Sequence, residues 1–135
     1  MTTFQGIRTI GATQITNSGS TSNDGDSDLV NGLASPRAET VDNTNAFSIT
    51  NVDPTWLWER NVSWRFTDAV TPPTAQITVT VPTTPERGIF GILNLTTQIM
   101  QIETSAQVLT APTLAAGARG IFCSDGTNVE LLASS

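Results

Sequence analysis

The sequence predicts an all-β protein: an antiparallel β-sandwich or jelly-roll-like barrel with an extended polar N-terminal arm or loop. Three observations carry this. From Gln76 to Leu132, short alternating or apolar runs recur at regular intervals between turn residues, the pattern of a sandwich or barrel. Asp125-Gly126 lies between two apolar runs, and an Asp-Gly step supplies the positive φ that a tight hairpin needs. Only 13% of residues are charged, against about 25% in ordinary domains. Thr, Ser, Asn and Gln take their place, and β-branched Thr suits a pleated surface. The 135 residues suffice for one domain with a modest core.

Taken in order, residues 1–16 alternate weakly through Phe4, Ile7, Ile10 and Ile15, with Thr9 to Ile15 the best strand candidate there. Residues 17–45 read as a long polar arm or loop, Gly/Ser-rich at its start. Leu29, Val30 and Leu33 give it one apolar patch that would dock on a neighbour. Asp24, Asp26 and Asp28 have the spacing of the first ligands of a calcium loop. Glycine falls at Gly25, however, and the twelfth position is Ser35 instead of glutamate, so a solvated turn is the better reading.

The sandwich is expected over residues 46–132, with 76–132 its best-defined module. Residues 46–52 alternate as a strand until Asp53-Pro54 breaks it. Over residues 55–67, Trp56, Trp58, Val62, Trp64 and Phe66 share one parity. This is one long strand, or a hairpin turning at Arg60-Asn61. The three tryptophans are either core of the N-terminal half or an aromatic contact surface, since Trp is enriched at binding hot spots. A Pro-rich loop over 68–75 precedes the strand at Gln76–Val81, where Ile77, Val79 and Val81 face one way. Gly88 to Leu95 is nearly continuous apolar, as in a strand buried on both faces. Thr96-Thr97-Gln98 reads as a hairpin into Ile99–Glu103, and Val108–Thr110 as a short strand. Gly120–Ser124 and Thr127–Leu132 form the final hairpin, in which Cys123 is expected to act as a small buried hydrophobe.

Composition excludes much chemistry. There is no His, Tyr or Lys, and all six basic residues are Arg. Most acid–base and nucleophilic sets therefore cannot be built, and Cys123 has no imidazole to activate it. A paired-carboxylate site from Asp53, Glu59, Asp68 or Glu86 is formally possible, but no spacing singles out two of them. The expectation is no enzyme, no cofactor and no metal. A net charge of −6 repels phosphate, so nucleic acid is not an expected partner. No run is long enough to span a bilayer, and Met1-Thr2-Thr3-Phe4 lacks signal-peptide character, so synthesis in the cytosol without a membrane partner is expected. Asn61-Val-Ser63 and Asn94-Leu-Thr96 match the glycosylation acceptor pattern, which carries no weight outside a secretory route.

Arg87 to Asn94 (R-G-I-F-G-I-L-N), Gly117 to Arg119, and Asp125 to Val129 (D-G-T-N-V) occur in fixed order. In this the C-terminal half resembles the small β-sandwich modules of tailed-bacteriophage virion proteins, found in capsid decoration proteins, head fibres and tail fibres. The resemblance implies a virion structural component and transfers no catalytic residue. It makes a capsid decoration (cement) protein the leading expectation: a homotrimer bound to the major capsid protein on the outside of the assembled head, made in the bacterial host cytoplasm. The N-terminal arm would cross a neighbouring subunit there. The alternative is a tail or head-fibre adsorption module that binds host surface glycans. Leu29, Val30, Leu33, Trp56, Trp58 and Trp64 are the candidate partner interface.

Overall fold

A side chain in a strand points to the face opposite its neighbour's, so alternation decides what two packed sheets share. In the computed structural model, which describes residues 35–135, nine strands and one helical turn follow in the order β1 (Arg37–Val41), β2 (Ala46–Ser48), α1 (Leu57–Arg60), β3 (Ser63–Asp68), β4 (Ile77–Val81), β5 (Arg87–Leu95), β6 (Met100–Thr104), β7 (Thr113–Leu114), β8 (Arg119–Ser124) and β9 (Val129–Ser134). They form a five-stranded sheet of order β1-β3-β5-β8-β9 and a four-stranded sheet of order β2-β4-β6-β7. The all-β sandwich expected from the sequence is the fold.

The pairing is mixed where an antiparallel sandwich was expected. Four of the seven ladders, β1–β3, β3–β5, β2–β4 and β4–β6, are parallel. The three antiparallel ones are β5–β8, β6–β7 and β8–β9. Through its first six strands the chain alternates between the sheets, so each strand returns beside the one two places earlier, running the same way. Thr96-Thr97-Gln98 is accordingly a crossover between sheets and not a hairpin, because β5 and β6 belong to different sheets.

The core comes from the inward parity of both sheets. Trp64 and Phe66 of β3, Phe90 and Ile92 of β5, and Phe122 of β8 meet Ile77, Val79 and Val81 of β4 and Met100 and Ile102 of β6. Rings run through it in contact. Trp58 stacks on Trp64 at 5.6 Å, Phe90 meets Trp58 edge-on at 5.2 Å, and Phe90 stacks on Phe122 at 5.6 Å. Gly120 faces inward under these rings, where an added Cβ would lie 2.7 Å from Phe122.

Four local expectations are corrected. Residues 37–41, placed in the polar arm, form β1; only Val41 is buried in it, and its order derives from the ladder to β3. The long strand or hairpin over 55–67 is instead α1 followed by β3. Asn51 Oδ1 accepts from the Glu59 amide at 3.1 Å, Asn51 Nδ2 donates to Glu59 Oε1 at 3.0 Å, and Asn61 Nδ2 donates to the Leu57 carbonyl at 3.0 Å. These amide side chains hold a helical turn that parity cannot reveal. β5 is buried on one face only, through Phe90, Ile92 and Asn94. Val108–Thr110 is no strand: Asn128 Oδ1 accepts from the Val108 and Leu109 amides at 2.9 and 2.8 Å, and the next strand is β7.

The β8–β9 hairpin forms as expected, around a four-residue loop, 125–128. Gly126 has φ 85°. Asp125 Oδ1 accepts from the Asn128 and Thr127 amides at 2.7 and 2.9 Å. Those two bonds, Asn128's the larger influence, hold the Asp125 carboxyl below the ordinary carboxylate range. A depressed carboxylate contributes stability that is full above its unfolded pKa and lost as pH falls through the folded value. Protection of the hairpin amides from hydrogen exchange is therefore expected to fall as pH drops below about 3.9. Asp125→Asn should flatten that dependence; identical profiles for the two proteins would refute it.

Candidate interaction surface

The tryptophan cluster divides. Trp58 and Trp64 are 0% exposed, so neither belongs to a partner surface, and the expectation that they do is corrected. The reason is packing: β3 turns Trp64 into the sandwich, and α1 lays Trp58 over it. Trp58 Nε1 donates to the Pro85 carbonyl at 2.7 Å. Trp64 Nε1 is buried without an acceptor among the described residues. Trp56 alone is half-buried, held at φ 43° with Nε1 donating to Asp53 Oδ1 at 3.2 Å. Leu29, Val30 and Leu33, and with them Asp24, Asp26 and Asp28, lie outside the described residues.

Arg87, the first residue of the motif run, lies between α1 and β5. Its guanidinium carbon sits 4.9 Å from the Trp58 ring centroid, and Nη2 donates to the Trp58 carbonyl. Nε is buried without a partner among the described residues. Burial lowers the Arg87 pKa, against the opposing field of Glu59. A cleft of about 420 Å³ opens beside it, with Glu59 and Glu86 in its wall. Two carboxylates make this a poor anion site, and Arg87 reads as a clamp joining α1 to β5.

Asn94, the last residue of the same run, is 0% exposed. Its Nδ2 donates to the carbonyls of Gln98, Leu114 and Ala115 at 2.9, 3.1 and 3.1 Å. Its Oδ1 accepts from the Thr96 amide at 3.1 Å and the Thr96 hydroxyl at 2.6 Å. The N-x-T element is thus a buried tie between the end of β5, the start of β6 and the end of β7, closed to modification in the folded chain.

Besides Val52, Val70, Ile99, Leu131 and Leu132, exposed apolar side chains gather in two places. The outer face of the five-stranded sheet carries exposed Ile89 and Leu95 of β5 and Ile121 of β8, with Leu93 half-buried among them. Cys123 stands half-exposed beside them on the same face, not buried as expected, because Phe122 and Ser124 take the inward parity of β8. At the end of the sandwich that holds the β8–β9 loop, Val108 and Leu109 are 79% and 53% exposed. There Asn128 holds their amides, and Gln107 bridges to both the amide and carbonyl of Val129 at 2.9 and 3.3 Å. These tips are fixed by side-chain bonds before any partner arrives. Among the described residues no group of three or more His, Cys, Asp or Glu is placed to hold a metal, and no helix is long and apolar enough to cross a membrane. No protein-family model, curated protein or solved structure matches the chain.

Proposed function

We propose that this is a bacteriophage virion structural protein, a capsid decoration protein that binds the outside of the assembled head, as a homotrimer, and stabilises it without catalysis. The observation that carries the reading is the preorganised apolar tip at Val108 and Leu109, fixed by Asn128 and Gln107 on a rigid sandwich. Apolar groups already held in place lose little conformational entropy on docking. A protein that binds only the assembled shell stabilises it by mass action. The glycan-binding alternative keeps only Trp56 of its three aromatics, since Trp58 and Trp64 lie in the core.

Undecorated heads test the reading. The protein is expected to co-sediment with them and raise their melting temperature, and Val108→Asp with Leu109→Asp is expected to abolish both effects while leaving the fold intact. Neither co-sedimentation nor a gain in melting temperature with the unaltered protein would overturn it.

A further inference from the structure

On a chain of net charge −6, the outer face of the five-stranded sheet is apolar at its centre and carries two arginines, with Glu130 at the β9 edge opposite Cys123. The register places Arg65, Leu93 and Arg119 in one row across β3, β5 and β8. The next row is Ser63, Gly91, Ile121 and Ala133. Gly91 contributes no side chain, and a Cβ built there would meet nothing closer than 3.5 Å, so the centre of the face is a dip between Leu93 and Ile121. Arg65 and Arg119 are exposed, and neither makes an ion pair with any described residue. A groove of about 210 Å³ opens at this dip, and Pro36 lines it with Ser63, Gly91, Leu93 and Arg119. Pro36 is the second described residue, next to Ser35, where residues 1–34 join the described body.

The residues just upstream of Pro36 carry the complement. Leu29, Val30 and Leu33 are apolar, and Asp24, Asp26 and Asp28 directly precede them. We propose that residues 24–33 of the same chain cover this face, with the three apolar side chains over the Leu93–Ile121 dip and the aspartates against Arg65 and Arg119. Reach permits it. Crossing from β1 to β8 spans three strand spacings, about 14 Å, and the eight residues from Asp28 to Pro36 extend to about 27 Å. A segment tethered this closely faces its own sheet at an effective concentration of about millimolar, far above that of a second copy in dilute solution. The segment's partner is therefore its own sheet, instead of the neighbouring subunit expected from the sequence. It stands independently of the decoration role.

Cys123, the chain's single cysteine, is the next outward residue after Ile121 on β8 and reports on the cover. In the full chain its reaction with a thiol reagent is expected to be slowed about tenfold, the factor that about 1.4 kcal/mol of docking gives. Leu29→Asp with Leu33→Asp should remove the slowing. So should Arg65→Glu with Arg119→Glu, whose side chains are exposed; adding Asp26→Arg and Asp28→Arg to that pair should restore it. Unchanged tryptophan emission shows in each case that the core is intact. Cys123 reacting equally fast in the full chain and in both sets of variants would overturn the proposal. Protection lost on about a hundredfold dilution would also overturn it, because an intrachain contact is independent of concentration.

Discussion

Replacing Asn94 by alanine is expected to destabilise the protein by about 3 kcal/mol or more, since each buried group left without a partner costs about 1–3 kcal/mol. The substitution removes a donor from each of the carbonyls of Gln98, Leu114 and Ala115 and the acceptor of the Thr96 amide; the Gln98 carbonyl keeps the Thr96 hydroxyl at 3.1 Å and the Ala115 carbonyl keeps the Ala118 amide at 3.1 Å. Water cannot replace all five bonds, because the side chain is fully enclosed. The backbone bonds of Asn94, to the Ala118 carbonyl at 2.9 Å and from the Gly117 amide at 2.7 Å, would survive, so the loss belongs to the side chain. Asn94→Asp should be at least as damaging, because a carboxylate would face three carbonyl oxygens. Leu95→Ala, one residue on and exposed, supplies the reference, with an expected change within about 0.5 kcal/mol. Urea denaturation of the three variants decides it. A loss under about 1 kcal/mol for Asn94→Ala would mean that the network contributes little.

Where strands hide one face, the sequence is readable. Ile77, Val79 and Val81 alternate with threonines, and β4 buries those three. Asp125-Gly126 announces its turn through backbone chemistry local to the dipeptide. The parallel ladders are not readable in this way. Partners such as Ser63 and Gly91 lie a full sheet-to-sheet circuit apart, and local alternation is the same in either pairing direction. β1 is hidden because its single buried residue, Val41, makes no pattern. α1 is hidden because the side chains that hold it, Asn51 and Asn61, lie outside the turn itself. The inward turn of Trp58 and Trp64 is hidden in the sequence for a related reason. Composition shows that three tryptophans are close in sequence, but whether they face in or out depends on the turn at α1. The Val108–Leu109 tip depends on Asn128, about twenty residues away, and only the folded chain brings them together.

Trp58→Ala is expected to cost about 3–5 kcal/mol, the range for removing a large buried aromatic. The ring is fully enclosed between Trp64 and Phe90, and its loss opens a cavity at the junction of α1 with β5. Two further penalties follow from what the ring supports. The Pro85 carbonyl loses the indole donor. The Arg87 guanidinium, already destabilised by burial, loses the aromatic face beneath it, although its bond to the Trp58 carbonyl can persist. Arg87→Ala made on the Trp58→Ala background should therefore cost less than Arg87→Ala alone, a coupling that a double-mutant cycle measures directly. Trp56→Ala gives the contrast. That ring is half-buried and its backbone sits in the left-handed region, a strain that alanine would keep, so a loss of about 1 kcal/mol or less is expected. Equal and small losses at positions 56 and 58 would return the tryptophans to the surface. A large loss at 58 alone, with additive behaviour toward Arg87, would keep Trp58 in the core but remove the clamp.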